Sequence, residues 1–533
     1  MGAYVAEEFT SAEADVLRRY FTNLDGPVFA LVNLPEVVKG ALFARYSRSN
    51  KSLRRLFLDE FVNELDIEGD ATIDATIGLE RAEALYERIF VEYGDDSVAQ
   101  LGGVHLACEQ ASNLLTKVLE WGRLASYLEQ STRYIPYDSR YGGRYRYYRD
   151  PEILASTYGT RYVGDMDRLF DTYAQMAPRV EEHIKQVVPK APGDSDFIYR
   201  QAVKAKALDA VRGILPAAAQ SNVGIYASGQ AYEQMLMRMR ANPLPEANAY
   251  ADLMLTELRK VIPSFVRRVD IAERGQQHSE YLSDVNLHMS EVASELLQTT
   301  PADQGARVEL VDFDPEAEVK LVAAMLYPYS RLSESDLTEQ VHAMSVDDRM
   351  RVIGAYTGNR QNRRHRPGRA LERPAYRFDI LADYGAFRDL QRHRLLTVEW
   401  QQLNPSHGYT RPELIDEIGL TDEFDAAMHR SAALFQAIEP FGASASYAVA
   451  LAYRVRFMMD LNARSAMHML ELRSTPQGHP AYRKVAQDMH TAIAETAGHR
   501  AIAGMMTFVN HSSEADLERL EAERRAEAKR ASL

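Results

Sequence analysis

The sequence predicts an α+β protein made of two related, mostly helical halves. Apolar residues recur at helical spacing through most of the 533 residues. Two segments, Val308–Phe313 and Tyr376–Ile380, instead alternate apolar and polar side chains, which is typical of a half-buried strand. The two halves also repeat the same order of segments. An internal repeat of this kind predicts that one fold occurs twice.

The first half begins with helical patterning. Helices are predicted from about Ser11, over Glu80–Tyr93 and over Val98–Tyr127. Residues 137–165 are rich in Tyr, Arg and Gly and predict an inserted loop, after which helical patterning runs from about Met166 to Arg240. Residues 270–306 are polar with weak periodicity. They place a boundary between domains 1–300 and 301–511, which a charged helical tail, 512–533, follows.

The second half opens with the strand at Val308 and continues with helices to about Thr357. A very basic run, 360–369, precedes the alternating segment at Tyr376, and a helix over Tyr384–Leu390 follows it. A long helical region is predicted from Phe424 to Arg473, and a last helix extends to about Val509.

Composition narrows the class of protein. The net charge is −14, which disfavours a general nucleic-acid binder. A single cysteine, Cys108, excludes a disulfide framework within the chain. The N-terminus lacks the apolar core of a signal peptide, and no apolar run of about 18 residues is present to span a bilayer. We therefore expect a cytoplasmic protein. No metal-ligand spacing such as H-E-x-x-H or C-x-x-C occurs, so no metal site is predicted.

Arg392-His393-Arg394 ends the Tyr384–Leu390 segment and concentrates positive charge there. The helix dipole offsets only part of the repulsion, at about 0.3–1 kcal/mol per cation. The cluster therefore lies in water or binds an anion such as a phosphate. The basic run 360–369 could bind a nucleic acid or a cofactor, and the negative net charge of the chain favours the cofactor.

The two halves align at several positions and have lost complementary motifs. Trp121-Gly122-Arg123 aligns with Arg392-His393-Arg394, and Gly229–Arg240 aligns with Asn462–Arg473. The second half carries Asn462-Ala463-Arg464 and the terminal Leu472-Arg473. The first half carries Glu129, Ser131-Thr132-Arg133-Tyr134 and Arg212-Gly213-Ile214-Leu215-Pro216, which the second half lacks.

Together these motifs resemble the flavin-dependent thymidylate synthases (ThyX). Their signature is R-H-R-x-x-S, then S-x-R-Y, R-x-x-L-P, and N-x-R on a helix that ends L-R. The resemblance covers roughly residues 95–250 and 365–500. It departs from the family at Thr397, which stands in place of the signature serine, and at Gly122 and Asn404. The resemblance implies two tandem ThyX-like domains, each with an antiparallel sheet.

The resemblance also implies a composite active site. In the family, one subunit supplies the R-H-R arginines and the N-x-R helix, and another supplies the E-x-S-x-R run and the R-x-x-L-P arginine. This chain has one set of each on opposite halves, so a single site type, within one chain or across a dimer, is expected. The cofactor-binding residues implied are Arg392, His393, Arg394, Asn462, Arg464 and His468. The substrate-binding residues implied are Glu129, Ser131, Arg133, Arg212, Asp389, Arg392 and Arg473.

The activity that the resemblance implies is reductive methylation of dUMP to dTMP. FAD would be the cofactor, and methylenetetrahydrofolate and NADPH the co-substrates. Arg473 would be the catalytic residue, which polarises the uracil near N3, and Arg133 the phosphate clamp. A homodimer of tandem chains would mimic the family's tetramer. Two alternatives stay open: a divergent flavoenzyme acting on another nucleotide, and a non-catalytic flavin- or nucleotide-binding scaffold.

Overall fold

The computed structural model describes residues 4–34, 36–62, 100, 102–298, 301–303, 307–512, 520 and 524. The predicted helix Glu80–Tyr93 lies outside the described residues. The predicted tail 512–533 also lies outside them, except for Ser512, Leu520 and Arg524.

The chain forms two compact units, and neither is continuous in sequence. The first unit comprises Met1–Gln175, Ile214–Pro301 and Asp425–Ala450. The second comprises Met176–Gly213, Ala302–Phe424 and Leu451–Leu533. Each half of the sequence therefore contributes one segment to the unit that the other half mainly builds. The domain boundaries 1–300 and 301–511 stay predictions.

Each unit contains a four-stranded antiparallel sheet, so the predicted α+β class is confirmed. The strands are β1 (Val28–Leu31), β2 (Gly103–Ser112), β3 (Ala125–Glu129), β4 (Gln220–Ser228), β5 (Arg307–Phe313), β6 (Ala375–Asp383), β7 (Thr397–Trp400) and β8 (Arg454–Asn462). The first sheet has the order β1-β2-β4-β3 and the second the order β5-β6-β8-β7. The same strand order therefore occurs in both units.

Twenty α-helices are described. Those of the first half are α1 (Ser11–Leu17), α2 (Glu36–Tyr46), α3 (Leu53–Glu60), α4 (Asn113–Leu119), α5 (Pro151–Ala155), α6 (Gly159–Val187), α7 (Asp196–Val211), α8 (Gly229–Arg240), α9 (Pro245–Arg259), α10 (Pro263–Val266) and α11 (Gln277–Leu296). Those of the second half are α12 (Ala317–Leu326), α13 (Glu334–Ala343), α14 (Val346–Thr357), α15 (Tyr384–Leu390), α16 (Glu413–Glu417), α17 (Thr421–Ile438), α18 (Ala463–Arg473), α19 (Pro480–Glu495) and α20 (Arg500–Met505).

The strands β5 and β6 confirm the two predicted strands, whereas β2, β4 and β8 interrupt segments that were predicted to be helical. In the first sheet, both faces are covered. Leu106 and Cys108 of β2 pack in one apolar cluster, and the intervening Ala107 packs with Phe29 and Phe57 in another. A strand buried on both faces has no polar face, so its sequence does not alternate.

Two further segments differ from the prediction. The expected loop 137–165 contains α5 and the first two turns of α6. Asp150 caps α5, because its Oδ1 accepts a hydrogen bond from the Glu152 N–H at 2.9 Å. The polar stretch around residue 280 is the 20-residue helix α11, of which only Ser279 is buried.

A strand-to-helix connection occurs twice in each unit and positions the motif residues. Ser112 and Asp383 end their strands and cap α4 and α15. Ser228 and Asn462 do the same for α8 and α18. Ser228 is therefore the structural counterpart of Asn462, and the alignment of Gly229 with Asn462 was wrong by one residue.

Candidate active site

Three elements of the second unit bring the motif residues together. Helix α15 is capped by Asp383, whose Oδ1 accepts from the Ala386 N–H at 2.9 Å, and its last turn carries Asp389. Helix α18 is capped by Asn462, whose Oδ1 accepts from the Ser465 N–H at 2.9 Å. Helix α7 ends at Val211, and Arg212 is its C-terminal capping residue.

Asp389 is the centre of an arginine cluster. Its carboxylate lies 3.6 Å from Nη1 of Arg212 and 3.7 Å from Nη1 of Arg473. It also accepts a hydrogen bond from Arg392. Arg212 comes from the first half of the sequence and the other members from the second half, yet all lie in the second unit. Three guanidinium groups thus face Asp389, and Arg212 also interacts electrostatically with the buried carboxyl of Asp383. Three cations still outnumber the two carboxyls, and this excess of positive charge suits a bound anion.

Arg212 has an unused donor in this cluster. The residue is 4% exposed, and its Nη2 is buried without a hydrogen bond to any residue that the structure describes. A side chain at Gly385 would place its Cβ 3.4 Å from Nη2, so the glycine leaves this donor unobstructed. A buried donor without an acceptor costs about 1–3 kcal/mol. A phosphate oxygen here would remove that cost.

Two neutral histidines lie beside the arginines. Nε2 of His393 accepts a hydrogen bond from Nε of Arg473 at 2.8 Å, which leaves the ring proton on Nδ1. Burial, followed by repulsion from Arg473, holds the pKa of His393 well below its usual value. The His468 ring lies 5.7 Å from the His393 ring. Burial, with Arg366 next, lowers the pKa of His468 to about 4.

The basic run 360–369 divides into two parts. Arg360 is buried and forms a bidentate ion pair with Glu471, with both N···O distances at 2.6 Å, so its role is structural. Arg366 donates from Nη2 toward Nδ1 of His468 at 3.1 Å. Arg363 lies close enough to repel the protonated form of His468. Nothing in the sequence of the run distinguishes Arg363 and Arg366 from its other arginines.

Three further residues, Asn462, Arg464 and Arg394, were also predicted to bind the cofactor. The side chain of Asn462 is engaged as the cap of α18. Arg464 donates to Glu372 Oε1 at 3.2 Å and to the Pro367 carbonyl at 3.3 Å. Arg394 is half-buried. The positions agree with the expected motif order, but their roles at a cofactor stay predictions.

Glu129, Ser131 and Arg133 lie in the first unit. Glu129 ends β3, is 5% exposed, and accepts from Nζ of Lys117 at 3.2 Å. The hydroxyl of Ser131 accepts from the Arg133 N–H at 3.3 Å, which shapes the turn that follows the strand. Their assignment to a nucleotide stays a prediction.

The first unit does not repeat the arginine cluster. We aligned the two units at the residues that cap their corresponding helices. In this alignment, the counterparts of Asp389, Arg392, His393 and Arg473 are Val118, Trp121, Gly122 and Met239. The indole of Trp121 instead stacks with the guanidinium of Arg238, 5.3 Å from the ring centre. The described residues therefore contain one such cluster.

Among the described residues there is neither a metal-binding cluster nor a helix able to span a membrane. No group of three or more His, Cys, Asp or Glu side chains is arranged to hold a metal ion. None of the described helices combines the length and the apolar character that crossing a bilayer requires.

Comparison with known proteins gives consistent matches. The sequence profile of the family described as thymidylate synthase complementing protein (Thy1) matches residues 41–264 and 309–497. A UPF0159 protein from Chlamydia muridarum is 39% identical over 532 residues, which are 98% of this chain and 99% of the relative. A UPF0159 protein from Thermoplasma acidophilum is 32% identical over 519 residues, which are 92% of this chain and 99% of the relative.

A solved structure is also similar to this chain. It is the crystal structure of the UMP/dUMP methylase PolB from Streptomyces cacaoi bound with 5-Br dUMP. It covers 40% of this chain and 100% of its own, with 17% identity and a TM-score of 0.29. The family profile, which matches most of the chain in two segments, establishes membership: the chain belongs to the thymidylate synthase complementing proteins, the flavin-dependent thymidylate synthase family.

Proposed function

We propose that this protein methylates dUMP to dTMP with methylenetetrahydrofolate and NADPH as co-substrates and FAD as cofactor. The observation that carries the proposal is the arrangement of Arg212 in the second unit. An arginine of the R-x-x-L-P motif from one half of the sequence lies beside Asp389, next to the R-H-R and L-R arginines of the other half. Its buried Nη2 still lacks an acceptor among the described residues.

The residues of the cluster divide into binding and positioning roles. Arg212 would donate Nη2 to the nucleotide phosphate. Arg473 would donate to the uracil ring near N3 and stabilise the negative charge that develops when C5 acts as a nucleophile. His393 would be a positioning residue, because its Nε2 accepts a hydrogen bond from Nε of Arg473 at 2.8 Å and so holds that guanidinium group in place. Asp389 would hold all three guanidinium groups in place.

A flavin dinucleotide fits the charges on the other side of the cluster. Burial first, and then the charges of Arg366 and Arg363, lower the pKa of His468. Arg366 lies 3.1 Å from His468, and the two arginines provide a positive charge suited to a diphosphate. The residues that would hold the cofactor are Arg363, Arg366, Arg392, His393, Arg394, Asn462, Arg464 and His468. When bound, FAD would supply the hydride that NADPH provides. The folate methylene carbon would bond to C5 as its bonds to the folate nitrogens break, and with the hydride it would become a methyl group, while the C5 proton leaves to solvent and tetrahydrofolate is released.

The family motifs also imply nucleotide-binding residues in the first half of the sequence. Glu129, Ser131 and Arg133 would hold the nucleotide, with Arg133 as a second phosphate clamp. The degenerate cluster of the first unit, with Trp121 and Met239 in place of two arginines, supports one site type per chain rather than two. A homodimer of tandem chains would then carry two sites.

The test combines cofactor loading with turnover. The full-length protein, incubated with FAD and separated from free flavin, should retain visible flavin absorbance. It should release tritium from dUMP labelled at C5 when the folate and NADPH are present. A protein that cannot be loaded with FAD would contradict the proposal. FAD loading without tritium release would favour the alternative of a different nucleotide substrate.

Variants test the assigned residues. Arg473→Ala and Arg133→Ala should each abolish tritium release. Arg179→Ala is the matched control, because Arg179 is 55% exposed and pairs with Glu423 on the surface of the same unit as Arg473. The assignment of a residue is wrong if its variant stays as active as Arg179→Ala.

A further inference from the structure

Helix α11 presents an apolar stripe that nothing covers in the part of the chain that the structure describes. The helix has 20 residues and contacts the rest of the first unit mainly near its N-terminal end, where Ser279 is its only buried residue. Val285 is 40% exposed, Met289 59%, Val292 44% and Leu296 71%. Large apolar side chains exposed in a row mark an interaction surface more often than a solvated face.

The spacing of the stripe is that of a coiled-coil seam. Leu282, Val285, Met289, Val292 and Leu296 follow one another at intervals of three, four, three and four residues. These are successive a and d positions of a heptad. At 1.5 Å per residue, the five side chains extend along about 21 Å of one helix face.

The charges of the helix exclude two classes of partner. Helix α11 carries Glu280, Asp284, Glu291 and Glu295 and has no lysine or arginine. A membrane-surface helix needs a basic polar face to bind anionic lipid, and nucleic acid needs cations likewise. The partner is therefore another protein surface, and its shape is that of a helix whose own seam is apolar.

The positions that flank the seam favour a partner of the same sequence. In coiled coils, charged e and g positions select the partner. Here the flanking residues are Tyr281, Asn286, His288, Ala293 and Glu295, of which only one is a carboxylate. The other three acids lie away from the seam. A copy of this helix therefore meets no row of like charges, and no charge pattern selects a different chain.

We propose that two copies of this protein associate through α11, each seam packing against the other. Two helices of this length bury less than the roughly 1,200–2,000 Å² of a standard interface. Association through α11 is therefore expected to depend on protein concentration. This inference assigns a surface to the homodimer proposed above, and it does not depend on the proposed catalytic activity.

The test is the mass of the full-length chain in solution. Light scattering across a concentration series should show a species of twice the chain mass. The double variant Met289→Glu with Val292→Glu places charges in the seam and should raise the dissociation constant at least a hundredfold. Leu287→Glu is the matched control, since Leu287 is 57% exposed on the opposite side of the helix, and it should leave the constant within twofold.

A crosslinking experiment identifies the surface directly. The native thiol of Cys108 is buried, so an introduced cysteine is the accessible one. Met289→Cys should form crosslinked dimers with a short bismaleimide, and Leu287→Cys should not. A monomeric wild-type chain, or a dimer that the double variant leaves intact, would overturn the proposal. In the first case the seam is covered by another protein or within the chain, and in the second the dimer uses another surface.

Discussion

The buried donor of Arg212 leads to a sharp prediction about nucleotide binding. Arg212→Lys keeps a positive charge within reach of Asp389 but removes the second nitrogen that faces the space beside Gly385. Asp389 retains Arg392 and Arg473 as partners, so no carboxylate is left buried alone. The substitution therefore removes one donor to the phosphate and changes little else.

The magnitude follows from what that donor contributes. A hydrogen bond to a charged acceptor contributes about 1.5–3 kcal/mol, which corresponds to a loss of about 10- to 150-fold in affinity for dUMP. Deoxyuridine lacks the phosphate, so its affinity should change by less than about threefold. Because the variant lysine can still reach Asp389, the thermal unfolding temperature should fall only slightly.

Calorimetric titration or competition binding with dUMP and deoxyuridine measures both affinities. Arg200→Lys is the matched control, since Arg200 lies exposed on the same helix, α7, where its Nε donates to the Asp196 carbonyl. An equal loss of affinity for nucleotide and nucleoside, or no loss for either, would refute the assignment of Arg212 to the phosphate.

Three further measurements probe the stability and electrostatics of the units. Glu471→Gln breaks a buried ion pair and should lower the free energy of unfolding of the second unit by about 3–5 kcal/mol, as measured in urea. Asp488→Asn, the control, breaks an exposed pair and should change it by less than about 1 kcal/mol. Equal effects of the two substitutions would contradict the structural role of the buried pair. Burial raises the pKa of Glu246 from 4.5 to about 7, so the folded state holds a proton that the unfolded chain has released. Stability should therefore fall by up to about 3 kcal/mol as the pH rises from 4.5 to 7, and Glu246→Gln should flatten that slope. Pyrophosphate or FAD bound near His468 should raise the pKa of that ring above its value of about 4, as followed by NMR, and an unchanged pKa would place the anion elsewhere.

The sequence could predict one sheet better than the other for a physical reason. In β6, Phe378 and Ile380 are buried while Arg377 is exposed on the other face and Asp379 is partly exposed, so the period of two is visible. In β2, consecutive residues such as Leu106 and Ala107 are both buried, against different clusters. Such a run carries no period that distinguishes a strand from a buried helix.

The members of the arginine cluster could be predicted from the sequence where a motif contains them, but not where tertiary structure alone brings residues together. Arg392, Arg473 and Arg212 were identified from their motifs, and the structure brings all three to Asp389. The contribution of Arg366 was hidden within a run of similar cations. The sequence around Arg212 does not show that this arginine packs with the second half of the chain, because nothing in its own segment specifies the unit to which the segment belongs.

The exchanged segments also have a consequence for synthesis of the protein. Arg212 leaves the ribosome about 180 residues before Asp389, a delay of roughly 9–36 s at 5–20 residues per second. Throughout that time, residues 176–213 have been made but most of their unit has not. Buried faces of α7, such as Ile198, Val203 and Leu208, are then unprotected. The nascent chain should therefore need a holding chaperone, and a cut at residue 300 should yield two fragments that fold only when they are expressed together.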